Sequence, residues 1–256
     1  MLASVLSLFC KPVQMVGPAK HNDIYKEAGA LGLERLEAVF PKFSEQVHGL
    51  RVVEFGCGGG YQVVAMARAG AAQVMGVEIE PHALAHSERL AEAEPGEVKA
   101  RIQIGDAIPD GYQADIITSQ NSFEHFVEPE FILSMWRKAL VPGGRAFVTF
   151  SPPWYSPWGG HMFHFCRLPW VQVLFPENVV MAVRSRYRDD GVTTYRDVGL
   201  AQMSLAKFER VSQASGFQII YQHYECSWGL HVLRHIPVIR ELFVNRVSAI
   251  LQQPLR

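Results

Sequence analysis

No run in this sequence approaches ~18 uninterrupted apolar residues, so no membrane-spanning helix is expected. No Lys/Arg block is present either. Lys and Arg together number 24 against 25 Asp and Glu, a formal charge of −1, which argues against a dedicated nucleic-acid surface. Cysteine is sparse. Cys10, Cys57, Cys166 and Cys226 lie far apart and form no CxxC, so a disulfide framework is not expected and a reducing, cytoplasmic setting fits best. The apolar start MLASVLSLF has no basic residue ahead of it, and reads as a docking helix or a frayed end rather than a signal peptide. Internal repeats and low-complexity tracts are also absent.

What the chain has is a rhythm. Short apolar runs at 50–55 (LRVVEF), 73–77 (QVMGV), 101–104 (RIQI), 114–118 (ADIIT) and 145–150 (RAFVTF) are separated mostly by segments with helical spacing. Strands that alternate with helices predict a parallel sheet covered on both faces. The handedness of such crossovers makes the fold a doubly wound, Rossmann-like α/β sheet. Two later runs, FQIIYQ (217–222) and VSAILQQ (247–253), bring the mostly parallel sheet to seven strands. Residues 1–48 read as an N-terminal helical segment packing on the core, and 49–150 as the core itself. Residues 151–202, dense in Pro, aromatics and His, read as an inserted substrate lid. Residues 203–256 complete the sheet and carry a helical insertion (IPVIRELF).

Glycine clusters where the first strand ends, in VVEFGCGGGY. In an open α/β sheet that edge is where ligands bind, and Gly56, Gly58 and Gly60 let the main chain wrap one ahead of a helix N-terminus. A dinucleotide fingerprint would require glycine at position 61, where Tyr61 stands, so NAD or FAD is disfavoured. Glu54, two residues before the first glycine, repels a pyrophosphate and suits a ligand that bears an ammonium group. Glu78 ends the second run, near the ~20-residue spacing at which an acid accepts ribose hydroxyls. Asp106 follows the third run, placed to accept from an adenine amino group, and Asp115 opens the fourth.

The series VVEFGCGGG, VMGVEIEP, IQIGDA, ADIITSQNSFEH and LVPGG resembles the class I S-adenosylmethionine-dependent methyltransferases, within the broad small-molecule group that includes the ubiquinone-biosynthesis type. The resemblance covers about residues 45–150 and the terminal strands. It implies S-adenosyl-L-methionine as cofactor, with Glu54, Gly56, Gly58 and Gly60 holding the methionine part and Glu78 binding the ribose. It further implies that Ile79 packs on the adenine, that Asp106 and Ala107 contact its edge, and that Gln120 and Asn121 line the methyl side. In ubiquinone-type relatives a Glu-x-x-Glu-His stretch after the fourth strand can hold a divalent ion. Here it reads Asn121-Ser122-Phe123-Glu124-His125, so the first acid is missing and no metal is expected.

The expected reaction is methyl transfer to a small-molecule acceptor, more at oxygen than at nitrogen or carbon, the oxygen being on a sugar, a lipid-linked compound or a secondary metabolite. A hydroxyl nucleophile needs a base, and histidine suits neutral pH. His125, His161 and His164 compete for that role, His161 being preferred because Gly159 and Gly160 would let it approach the cleft. The aromatics of the insertion read equally as a cover for a ring-shaped acceptor or as its anchors. Arg184, Arg186, Arg188 and Arg196 read first as a solvated loop with Asp189 and Asp190 as partners, and second as contacts for an anionic group such as a phosphate or carboxylate. The stretch HVLRHIPVIRELFVNRV mixes apolar and basic residues and leaves weak contact with a membrane surface open. A non-catalytic cofactor-binding module, and more distantly a nicotinamide-dependent oxidoreductase, are the competing function classes.

Overall fold

The computed structural model describes residues 2–11 and 32–255. Of the N-terminal helical segment expected over 1–48, residues 1 and 12–31 lie outside the described residues. In chain order the elements are α1 (Leu2–Ser7), α2 (Gly32–Val39), α3 (Phe43–Val47), β1 (Arg51–Phe55), α4 (Tyr61–Arg68), β2 (Gln73–Val77), α5 (Pro81–Glu92), α6 (Gly96–Lys99) and β3 (Ile102–Gly105). There follow β4 (Ala114–Gln120), a 3-10 turn at Phe123–His125, α7 (Pro129–Ala139), β5 (Leu140–Phe150), α8 (Val171–Leu174), α9 (Glu177–Arg184), α10 (Leu205–Ala214) and β6 (Gln218–Cys226). Two 3-10 turns at Ser227–Gly229 and His231–His235 lead to α11 (Ile239–Phe243) and β7 (Val244–Gln252).

The seven strands form one sheet in the order β3-β2-β1-β4-β5-β7-β6. β1 pairs in parallel with β2 and β4, and only β7 runs antiparallel, against both β5 and β6. The sheet is the doubly wound α/β arrangement the apolar rhythm predicts. β5 begins five residues earlier than RAFVTF suggests. Leu140 already pairs with Ala114, and a register shift absorbs Pro142-Gly143-Gly144 before Arg145 pairs with Ile116.

Alternation along β5 serves both faces. Phe147 meets Phe40 and Phe43 at 5.1 Å each, on the side of α2, α3 and α4. Phe150 turns to Phe123 and Phe208, where Trp136 of α7 is also fully buried. A third cluster lies in the insertion, where Met162, Phe165, Val171, Val180, Met181, Tyr195 and Leu200 enclose Leu6. α1 is therefore docked on the insertion, against α9, and not on the sheet. Its last turn brings Cys10 opposite Cys166 in an isolated antiparallel bridge. Burial and then the neighbouring Cys166 push the Cys10 thiol up to about 12.

α10 starts where the Ser204 side chain accepts a hydrogen bond from Lys207 N at 3.1 Å. Loss of such a cap costs about 1 kcal/mol. Ser204→Ala is thus expected to lower the unfolding free energy by that amount, read as a lower urea midpoint with an unchanged slope.

Candidate active site

At the carboxyl ends of β1, β2, β3 and β4 the sheet opens into a cavity of about 1080 Å³. Pockets for one small ligand run from ~300 to 1,000 Å³, so this one has room for two reactants side by side. Its floor is the loop after β1. Gly56 N and Cys57 N both donate to Val77 O, at 2.9 and 3.0 Å, and Gly60 N donates to Cys57 O at 3.0 Å. The loop is thus held from within before any ligand arrives. Gly56 has φ +77°, and a Cβ there would lie 2.4 Å from Ser122 Oγ. Gly60 has φ +79° and abuts Ser87, with 2.7 Å from a Cβ to the Ser87 Cβ.

The structure brings most of the residues implied for the cofactor to this cavity. Gly56, Gly58, Glu78, Ile79, Asp106, Ala107, Gln120 and Asn121 all line it. Glu78 accepts three backbone bonds, from Gly58 N at 2.8 Å and from Ile79 N and Glu80 N at 2.9 Å each. It clasps the glycine loop to the turn after β2. Ile79 stands 81 % exposed on the cavity wall. An isoleucine that open within a cleft offers a flat apolar group a surface to cover. Gln62 Nε2 donates to Gln120 Oε1 at 2.6 Å, joining α4 to the end of β4.

Two expectations need correction, and a third acid of the series finds its place. Glu54 is 1 % exposed and does not line the cavity; it sits mid-strand under the loop and accepts from Thr118 Oγ1 at 2.9 Å. Burial pushes its carboxyl up to about 7. Gly60 is likewise off the cavity, its role being the close packing of α4 on α5. Asp115 lies at the amino end of β4, on the opposite edge of the sheet, where it takes Arg51 N at 2.9 Å and the guanidinium of Arg51 at 3.3 Å. It belongs to a structural ion pair.

Of the three histidines only His125 reaches the cavity wall. Its Nδ1 lies 2.8 Å from Gly199 O. A carbonyl can only accept, so the neutral ring carries its proton on Nδ1 and leaves Nε2 with a free lone pair. His161, at φ 54°, packs its ring 5.8 Å from that of His125 and nearly perpendicular to it. Burial, then His125 and His164, hold its imidazole down to about 4. His164 packs on Phe163 at 4.1 Å, away from the cavity. The paired glycines before His161 serve the insertion's own folding: a Cβ on Gly159 would fall 2.0 Å from Trp154 O. Beside His125, the carboxyl of Glu124 is 3 % exposed and pushed up to about 8 by burial, with Ser151 N donating to Oε1 at 3.4 Å. Among the described residues no group of three His, Cys, Asp or Glu could hold a metal ion.

The outer half of the cavity carried no recognisable sequence signal. Val127, Phe131, Ile132 and Met135 form an apolar wall from α7 and the turn before it, and Arg35 and Arg196 stand at the mouth. The spacing on α7 marks an amphipathic helix, and a helix face that lines a cavity has the same period as one that lines a core. Within the insertion, Arg196 alone among the described residues lines the cavity. The aromatics there act as anchors: Trp154 packs on Tyr195 at 4.8 Å, and Phe165 on Tyr187 at 5.7 Å. Arg184 is buried and bidentate to Asp190, at 2.6 and 2.7 Å.

A protein-family profile described as "Methyltransferase domain" matches residues 53–148, the stretch from β1 to β5 that builds the cavity floor. Residues 53–148 thus match a methyltransferase domain. Curated relatives overlap the same region. The ubiquinone biosynthesis O-methyltransferase of Xanthomonas euvesicatoria is 34 % identical over 127 residues, which is 48 % of this chain and 52 % of the relative. The enzyme of that name from Acinetobacter baylyi is 29 % identical over 149 residues, 54 % of this chain and 52 % of its own. The chain spans about half the length of the curated relatives it matches. Among solved structures, an S-adenosylmethionine-dependent methyltransferase from Mesorhizobium loti superposes with TM-score 0.56 at 19 % identity. That match covers 86 % of this chain and 96 % of the other. It shows that the methyltransferase domain's fold continues through the strands outside the matched profile.

Proposed function

We propose that the chain binds S-adenosyl-L-methionine in this cavity and transfers its methyl group to an oxygen of a small-molecule acceptor. The observation that carries this reading is the placement of His125, with its tautomer fixed by Gly199 O, across one cavity from the glycine loop and Glu78. The loop and its left-handed glycines fit the aminoacyl part, Glu78 fits the ribose hydroxyls, and Ile79 fits the adenine face, with Asp106 and Ala107 at its edge. The relatives' printed name supports oxygen as the methylated atom.

The cofactor, when bound, supplies a methyl on a sulfonium, an electrophile whose leaving group is already built in. The protein's part is to align, to dry and to deprotonate. His125 takes the acceptor's hydroxyl proton at Nε2, and the imidazolium formed keeps its Nδ1–H on Gly199 O. The wall of Phe131, Ile132 and Met135 holds an apolar or ring-bearing acceptor, such as a sugar, lipid-linked or secondary-metabolite hydroxyl. Gln120 and Asn121 line the side between the two reactants.

A carboxylate offers about four acceptor sites, and three of Glu78's are taken by backbone N–H groups. Accepting two hydroxyls therefore requires it to release at least one of these bonds. Glu78→Ala is expected to weaken S-adenosylhomocysteine binding by at least ~1 kcal/mol, read by calorimetry. Unchanged affinity would remove Glu78 from the site. Calorimetry with NADH separates the oxidoreductase class, and transfer of tritiated methyl groups to extract fractions tests the reaction itself. Cofactor binding with no transfer to any fraction would leave a non-catalytic binding module.

A further inference from the structure

The cavity uses the carboxyl edge of β1 to β4. The same edge continues over β5, β7 and β6, and the connection 227–243 stands on it. Phe150 at the end of β5 pairs with Val247, and Cys226 at the end of β6 pairs with Val244, so the connection leaves and re-enters the sheet there. None of its seventeen residues is buried. Trp228 is 58 % exposed, Val232 70 % and Val238 79 %, and Leu230, Ile236, Ile239 and Leu242 are exposed as well. Val173 and Leu174 of α8 extend the patch. Trp170 ties the two parts together: its ring meets Trp228 and Phe243 at 5.6 Å each, and its Nε1 donates to Leu242 O at 3.0 Å. Single exposed apolar residues are ordinary on a protein surface, but a contiguous patch of them marks an interaction site.

Backbone geometry points the same way. Trp228 and Val238 sit at φ 55° and 69°, where glycine is the least costly residue. These two positions nevertheless carry large apolar side chains, directed outward.

Charge distinguishes the kind of partner. The connection holds Arg234, Arg240, His231 and His235 and a single acid, Glu241. That carboxylate is turned inward and accepts from Leu205 N at 3.1 Å and Ala206 N at 2.7 Å at the start of α10. Arg240 is paired with Glu209 at 2.9 Å; Arg234 has no carboxylate partner among the described residues. With Gln222, His223 and Tyr224 of β6, the side chains of Arg234, His235 and Arg240 enclose a second cavity of about 330 Å³ whose lining contains no carboxylate. Apolar side chains around a basic pocket match a lipid interface, where the former enter the acyl boundary and the latter meets phosphate. Among the described residues no helix is long and apolar enough to cross a membrane, so contact would be with the surface.

We propose that residues 227–243 and the tip of α8 dock on anionic phospholipid bilayers, with the Arg234–Arg240 pocket taking a headgroup phosphate. This site is independent of the transferase reading. If that reading also holds, docking places the active-site edge of the sheet on the lipid side.

The test is co-sedimentation of the full chain with vesicles of phosphatidylcholine alone and of phosphatidylcholine doped with phosphatidylglycerol. Binding to the doped vesicles is expected to exceed binding to the neutral ones by about tenfold or more and to fall as salt is raised. V232E/V238E should reduce it at least about tenfold, because two exposed apolar anchors are lost. Arg234→Glu should remove about fivefold, and only on the doped vesicles. Inorganic phosphate at the ionic strength of a sodium chloride control should displace no more protein than that control. Thermal midpoints of both variants should match the parent, since Val232 and Val238 are exposed and Arg234 has no carboxylate partner to lose among the described residues. The proposal is overturned by equal binding to both vesicle types, by variants that bind as the parent does, or by specific displacement by free phosphate. It is equally overturned if light scattering finds an oligomer that V232E/V238E dissociates while no vesicle is bound.

Discussion

His125→Asn lowers the rate of methyl transfer by ~10²–10⁴-fold and leaves S-adenosylhomocysteine affinity where it was. Asparagine is the informative substitute because its amide can still donate to Gly199 O, the bond that fixes the imidazole at 2.8 Å, while offering no base. The turn after β4 is thereby kept, and what is lost is the lone pair on Nε2. His161→Asn is the control. Its ring lies 5.8 Å from that of His125 but off the cavity wall, so its removal disturbs a neighbour and touches no substrate. Single-turnover measurement with labelled cofactor separates the two. Rates for His125→Asn within threefold of the parent, or equal losses in both variants, would return the base assignment to the insertion.

The second large effect is on stability. Glu54 and Glu124 are buried carboxyls, raised from 4.5 to about 7 and about 8 by desolvation. An acid whose folded pKa lies above its unfolded value favours the folded state fully only below the unfolded value. That contribution is lost as pH rises toward the folded value, because the unfolded chain releases its proton first. The protein therefore weakens between about pH 4.5 and 8, on the order of 3 kcal/mol for Glu54 and somewhat more for Glu124. Glu54→Gln keeps the shape and can still accept from Thr118 Oγ1 without any charge to bury. It should equal the parent near pH 5 and exceed it at pH 8 by several degrees in thermal midpoint. A parent whose midpoint is flat over that range, or a variant with no gain at pH 8, would show that these carboxyls ionise freely.

The parallel core was legible because its strands are short β-branched runs and its helices carry a clean period. The glycine loop was legible because positive φ at Gly56 and Gly60 leaves few other residues to choose. Glu54 misled because an acid in the middle of a strand covered on both faces is buried whichever way it points, so nearness in sequence to the loop gave no access to its ligand. Asp115, to which no ligand was assigned, stands away from the site for a directional reason. It opens its strand, and in a parallel sheet the openings of strands lie on the edge opposite the site. The insertion was opaque because no period sets its path. Contacts such as Trp154 on Tyr195 and Trp170 on Trp228 decide where its histidines fall, and those partners lie far apart in sequence. Arg35 and the α7 wall needed three-dimensional placement for the same reason.

The docking of α1 bears on how the chain comes to be folded during synthesis. Leu6, 1 % exposed, is sealed by residues between Met162 and Leu200. At ~5–20 residues per second, roughly ten seconds or more separate the emergence of that leucine from a ribosome and the arrival of the last side chain that encloses it. Throughout the interval the apolar face of α1 waits for the cluster that encloses it in the folded chain, so this docking closes late in synthesis.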